Sequence, residues 1–307
     1  MHEKGHPGAG RAAAAVCAAL LWSLTAAAFD WPSLSHRVER GLAYGRGHVQ
    51  NPPDAKFRTL HFNLITPRGR AQRPRPAVVL IHGGGFKDGG PDDRRLEALA
   101  KRLVREGYVC FLMEYRLMGD APPAPSPYDE DLLKSAAHAA AVDASAMLRF
   151  IAARAADFAV DPARIALLGE SAGAVTALAV GLAEPGFYSS DGPGRPVPEE
   201  NHPATPMPRP AAIINLWGTA DFFPELFSAG DPPIMTVHGA KDTTVGLSLL
   251  PAENIDALCA KHGIPHTYYP LPDAGHGAFD AEVGGRDLAA LSLEFLDRHL
   301  RGRAGEH

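Results

Sequence analysis

The segment that most constrains this chain is the pentapeptide Gly169-Glu170-Ser171-Ala172-Gly173. It is wedged between the apolar run Ile165-Ala166-Leu167-Leu168 and a stretch of small residues from Ala172 to Leu182. A glycine–X–serine–X–glycine pattern alone is a weak signal, because so short a motif recurs by chance. Set directly between a strand and a helix, it describes a sharp, strained turn that lifts a serine hydroxyl off the sheet edge. Glycines two residues to either side let strand and helix approach closely. The serine then stands at a helix N-terminus, where the dipole favours developing negative charge. The plain alternative is a serine that merely caps the helix.

The rest of the chain supplies a frame for such a turn. Strands are expected at Leu60 to Thr66, Ala77 to Ile81, Tyr108 to Tyr115, Arg164 to Leu168, Ala211 to Trp217, Ile234 to His238 and Thr267 to Leu271. Unbroken apolar runs such as Ala77-Val78-Val79-Leu80-Ile81 suit parallel strands covered on both faces. Helices are expected at Arg94 to Glu106, stopped by Gly107, and at Asp131 to Phe158, Ser171 to Leu182 and Arg286 to Leu300, with another carrying Cys259. Ala121 to Pro127 is a Pro-rich loop, and Gly186 to Pro210, with seven prolines, is an irregular insertion. Residues 29–56 carry no periodic signal and are a candidate for part of a small cap. Strand–helix alternation implies an α/β fold with a mostly parallel sheet and helices on both faces. Ligands of such folds bind at the carboxyl ends of the strands.

The N-terminus reads as an address. Lys4 and Arg11 precede an apolar stretch from Ala12 to Ala28, ending on Ala26-Ala27-Ala28. That pattern predicts an export signal cut after Ala28, a mature domain over 29–307, and a secreted or periplasmic protein. The stretch is short for a membrane span, which needs about 20 strongly apolar residues, so no stable membrane insertion is expected. Cys17 lacks a good lipobox. Export permits disulfides, yet only Cys110 and Cys259 would remain, both read as buried thiols. The net charge is -5 and basic residues are scattered, which argues against a nucleic-acid partner.

A serine hydroxyl needs a base and an acid to orient that base. His276, in Gly275-His276-Gly277, and Asp242, in His238-Gly239-Ala240-Lys241-Asp242, both follow strands and fall on the catalytic edge in the order serine, acid, histidine. Asp221 is a competing acid. His238 has a packing role at a strand end. His262 and His266 share metal-binding spacing, but Gly263 and Pro265 break any helix between them, so no metal is expected. His82-Gly83-Gly84-Gly85-Phe86 follows a strand and lacks phosphate-loop spacing. Its glycines suit inward-turned N–H groups, with Gly84, Gly85 and Ala172 forming an oxyanion hole. Phe86 and Trp217 are candidate pocket walls, with core packing the alternative for each.

In the order His82-Gly83-Gly84-Gly85, Tyr115-Arg116, Gly169 to Gly173, His238 to Asp242 and Gly275-His276, the chain resembles HGGG-type α/β-hydrolase esterases. This group includes the hormone-sensitive-lipase-like and BD-FAE-like carboxylesterases. The resemblance runs from about Leu60 to Leu300. It implies the α/β-hydrolase fold and cofactor-free hydrolysis of carboxylic esters, on a small-molecule or polymer-borne substrate. The irregular insertion argues for a small or absent cap, an open site, and short acyl or aryl esters. Arg116 is expected to fix a loop by ion pairing. An amidase or peptidase on the same scaffold, and a non-catalytic binding protein, stand as alternatives.

Overall fold

The apolar run at residues 77–81 forms most of β3 (Arg75–Ile81), and its side chains are buried on both sides of the sheet. Val79 and Ile81 enter one core while Val78 and Leu80 enter the other, as the two-residue period of a strand requires. Beside it run β4 (Val109–Met113) and β5 (Val160–Glu170), both parallel to β3. The sheet continues through β6 (Ala212–Leu216), β7 (Ile234–Gly239) and β8 (His266–Leu271), all parallel. On the other side lie β2 (Phe57–Pro67), antiparallel to β4, and β1 (His36–His48), antiparallel to β2. The eight strands take the order β1-β2-β4-β3-β5-β6-β7-β8. These positions come from a computed structural model that describes residues 35–51, 56–69, 71–246 and 248–301. The expected export signal, residues 1–28, lies outside the described residues.

Helices cover both faces. Against one pack α2 (Leu132–Ala153), α4 (Ala172–Leu182) and α5 (Leu250–His262); against the other pack α1 (Arg94–Arg105) and α6 (Leu288–Leu296). Helix α1 starts where Asp93 accepts the N–H groups of Arg95 and Leu96, and it buries Leu96, Leu99, Ala100, Leu103 and Val104 on one stripe. The long helix expected over 131–158 stops at Arg154, and Ala155–Phe158 forms a separate short turn, α3. Among the described residues no helix is long and apolar enough to cross a membrane. Cys110 and Cys259 are buried free thiols, and burial pushes Cys259 up to about 12.

One expectation changes. Residues 36–48 are the edge strand β1 rather than part of a cap. The Pro-rich insertion after α4 is a strap. Asn201 exchanges two hydrogen bonds with the Arg46 backbone of β1, and Asp191 reaches His48 Nδ1 at 2.8 Å.

Asp191 also takes part in a buried ion cluster. Arg116, just beyond β4, has no exposed surface; its Nη2 lies 2.7 Å from both Asp143 Oδ1 and Asp191 Oδ1, and its Nε donates to Asp143. Burial opposes the charge on Arg116, but the two carboxylates overcome it and hold the guanidinium above its ordinary range. Burial pushes Asp143 up against the pull of Arg116, whereas for Asp191 the pull of Arg116 and His48 wins and holds it low. One side chain therefore joins β4, α2, the strap and, through the His48 carbonyl, β1.

Replacing Arg116 by Leu leaves two buried carboxylates facing each other. The expected loss is about 3–5 kcal/mol of unfolding free energy. Urea denaturation followed by far-UV circular dichroism measures it, and a loss below about 1 kcal/mol would mean the cluster does not hold the strap.

Candidate active site

The turn between β5 and α4 is as tight as its glycines predict. Ser171 adopts φ 54° and ψ −120°, a backbone geometry that few side-chain-bearing residues tolerate. A Cβ on Gly169 would run into the Gly173 carbonyl, and one on Gly173 would run into the carbonyls of Ile81 and His82. The Ser171 N–H is anchored by the Leu216 carbonyl at 2.9 Å, and its own carbonyl starts the helix by accepting from Ala174 and Val175. The Ser171 side chain makes no helix-capping bond. Its hydroxyl instead lies 2.9 Å from His276 Nε2.

His276 belongs to the loop after β8, and its Nδ1 lies 2.8 Å from Asp242 Oδ2. Ser171, His276 and Asp242 thus form one hydrogen-bonded line at the carboxyl ends of β5, β8 and β7. The loops carrying acid and base are stitched together: Ala240 N–H donates to the Leu271 carbonyl and Lys241 N–H to the Ala274 carbonyl, each at 2.9 Å. Gly239 permits this, since a Cβ there would strike the backbone at Ala274 and Gly275. Asp242 is 1 % exposed, and its Oδ1 accepts the N–H groups of Thr244 and Val245. Burial raises its pKa, but the bonds from His276, Thr244 and Val245 outweigh that and hold it below the usual carboxylate range. The competing acid, Asp221, accepts from Asn254 on α5 instead.

The glycine loop after β3 sits against the same turn. Its Gly83 N–H is taken by Glu170 Oε1 at 2.7 Å, while the N–H groups of Gly84, Gly85 and Ala172 find no acceptor among the described residues. Gly84 and Gly85 have φ of 104° and 61°, and a Cβ on Gly84 would meet the Asp88 carbonyl. The loop is braced from behind by Tyr115, whose hydroxyl donates to the His82 carbonyl at 2.9 Å and whose ring stacks on His82 at 4.2 Å.

The two candidate pocket walls, Trp217 and Phe86, are both buried. Trp217 has no exposed surface: its backbone turns at φ 46° and sends the indole into the core beneath His276. There its N–H donates to Glu170 Oε2 at 3.1 Å and its ring meets Phe279 edge-on at 4.9 Å. Phe86 is 6 % exposed and packs against Tyr115. Phe86 packs in the core on one face of the sheet and Trp217 in the core on the other. His266 is engaged on both ring nitrogens, by Asp256 and Thr236. A cavity of about 600 Å³ lined by Leu42, Phe62, Arg75, Phe150 and Phe158 opens among the N-terminal ends of the parallel strands, away from Ser171.

Sequence reasoning missed Glu170, Tyr115 and Phe279 as supports of this site. For Glu170 the signal was present: it is a carboxylate at the end of an otherwise apolar strand, where burial demands partners.

The model of the BD-FAE family matches residues 63–226, more than half of the chain. A chlorogenic acid esterase from Aspergillus niger is 34% identical over 133 residues, covering 41% of this chain and 24% of that protein. Carboxylesterase NlhH from Mycobacterium tuberculosis (strain ATCC 25618 / H37Rv) is 37% identical over 98 residues, 32% of this chain and 26% of that protein. The chain therefore spans about a quarter of the length of these curated relatives. Among solved structures, Thermogutta terrifontis esterase 2 phosphorylated by paraoxon superposes with a TM-score of 0.61 at 22% identity, covering 90% of this chain and 96% of that one. That likeness, with the strand order and the helices on both faces, establishes the α/β-hydrolase fold. By the span of the family match, the chain belongs to the BD-FAE family.

Proposed function

We propose that this protein is a serine carboxylesterase. The observation that carries the reading is the unbroken line from Ser171 Oγ to His276 Nε2 at 2.9 Å and from His276 Nδ1 to Asp242 Oδ2 at 2.8 Å. His276 takes the hydroxyl proton as Ser171 Oγ attacks the ester carbonyl carbon. The carbonyl oxygen gains negative charge and is received by the N–H groups of Gly84, Gly85 and Ala172. Collapse of the tetrahedral intermediate breaks the bond to the alcohol oxygen, to which His276 returns the proton. Water, deprotonated in turn by His276, then splits the acyl-enzyme and releases the acid. Asp242 orients the imidazole and stabilises its charged form.

The relatives named as esterases support the reaction class. Short acyl or aryl esters are the expected substrates, because the strap lies against β1 and α2 instead of forming a helical cap. Export through residues 1–28 belongs to the same reading and rests on the sequence pattern at Ala12 to Ala28.

Hydrolysis of p-nitrophenyl esters, acetyl through palmitoyl, is expected to peak at the short chains. Ser171→Ala should lower kcat by about 10⁴-fold or more with the fold intact. Paraoxon should add a diethylphosphoryl group to the peptide containing Ser171, detected by mass spectrometry. A Ser171→Ala protein with the parent rate overturns the assignment, and faster cleavage of matched amides than esters moves it to an amidase.

Glu170 supplies a second test. Its two oxygens hold Gly83 and Trp217 at once, so it fixes the glycine loop relative to the serine turn. Glu170→Gln keeps the shape but offers one acceptor where two are needed. We expect kcat to fall about ten- to a hundredfold with KM within about twofold, short of the ~10²–10³ expected for outright loss of an oxyanion donor. Steady-state kinetics on a short-chain ester decide this, and an unchanged kcat removes Glu170 from the role.

A further inference from the structure

His238 lies next to last in β7 and has no exposed surface. Neither of its ring nitrogens has a hydrogen-bond partner. Leaving buried polar atoms unpaired costs about 1–3 kcal/mol each, so an apolar side chain of similar size would fill this space more cheaply. The ring is nevertheless aimed at one group. Its Nε2 lies 3.5 Å from Asp242 Oδ2, the same oxygen that accepts His276 Nδ1. The other carboxylate oxygen already holds two backbone donors. Oδ2 thus has one acceptor direction left, and His238 faces it.

We infer that His238 is a positioning residue for the acid: with its proton on Nε2, it is a second donor to Asp242 Oδ2, one small displacement from a full hydrogen bond. This rests on the triad reading above and adds to it a control on how strongly the acid holds the base. The charged and titratable groups that face His238 are Asp242, on the loop after β7, and His276, on the loop after β8. Burial lowers the pKa of His238, Asp242 opposes that, and His276 reinforces it, so the imidazole stays neutral and keeps a donor rather than bringing a charge.

The sign of the effect follows from charge. A donor on Oδ2 draws negative charge away from His276 and weakens the preference for its protonated form. Removing the donor strengthens that preference, so His276 holds its proton to higher pH. The acidic limb of kcat/KM then moves toward alkaline pH, and activity on the acid side falls.

Three variants separate donor from bulk. His238→Leu fills the space without a donor. His238→Gln puts an amide nitrogen near the place of Nε2, and His238→Asn carries one too short to reach. In His238→Leu and His238→Asn the acidic limb should move up by about half a pH unit or more, lowering kcat/KM roughly threefold on that limb. In His238→Gln it should stay within about 0.2 units of the parent. The same shifts should appear when the His276 imidazole is titrated directly by NMR of [15N]histidine-labelled protein, a readout that needs no turnover. If the parent hydrolyses no ester, the esterase reading falls while the NMR titration still decides the role of His238. If His238→Leu does not fold, the Gln and Asn pair carries the comparison. A folded donor-less variant with the parent's limb and titration overturns the inference, as does a Gln variant that shifts as far as Asn.

Discussion

The close approach of three backbones around Ser171 is the constraint on which the rest of this structure depends. At φ 54° the serine is held in a conformation its side chain disfavours, and such strain persists only where the surroundings leave no alternative. Here Gly173 packs against the end of β3, Gly169 packs against the first turn of α4, and the Ser171 N–H is bound to the end of β6. Three parallel strands therefore end in register around one residue. That register needs a sheet covered on both faces, which explains why β3, β6 and the second half of β5 are buried and largely apolar. Glu170, the charged residue that closes β5, is tied to the segments that follow the two neighbouring strands.

Away from the site, the fold answers a different problem. Antiparallel β1 and β2 extend the sheet to an edge, and the strap of residues 183–210 covers part of it. Edge strands with unpaired backbone groups invite further pairing, and covering them removes that hazard. The covering is held by polar groups: Asn201 on the Arg46 backbone and Arg116 between Asp143 and Asp191. Buried ion pairs contribute little net stability compared with apolar replacements, but they demand one geometry. In a segment with eight prolines and no regular element longer than a three-residue turn, specificity of that kind is what the chain lacks otherwise.

What could be read in the sequence follows the same division. The central strands and α1 were legible because burial on known faces imposes a period, and the serine, acid and histidine were legible because strand ends fix where loops emerge. Strand β1 was not. Its glycines at 45 and 47 are there because a Cβ would strike Asn201 and Arg116, partners far away in the chain. Its outward residues, among them Arg37, Glu39 and Arg40, erase the apolar alternation. Trp217 misled for a related reason. A large aromatic at a strand end reads as a pocket wall unless its backbone angle is known, and φ of 46° turns it inward. The supporting contacts of Glu170 and Tyr115 are pairings across strands, invisible until the strand order is known.

The three aligned residues differ in how firmly they are held, and the difference suits their parts in the proposed chemistry. Ser171 and Asp242 are 7 % and 1 % exposed, and each is fixed by several backbone hydrogen bonds. The side chain of His276 is 22 % exposed and is positioned by packing: its ring meets Trp217, which meets Phe279, which lies under the Arg95 guanidinium. A nucleophile and an acid must not move, since an error of position in either weakens every step. A base must deliver its proton to two oxygens in turn, first that of the departing alcohol and later that of serine itself. An imidazole held by Asp242 on one side and by aromatic edges beneath can tilt between them without breaking its bond to the acid. Aromatic contacts tolerate such a tilt because their attraction varies slowly with angle, whereas a hydrogen bond in the same place would resist it.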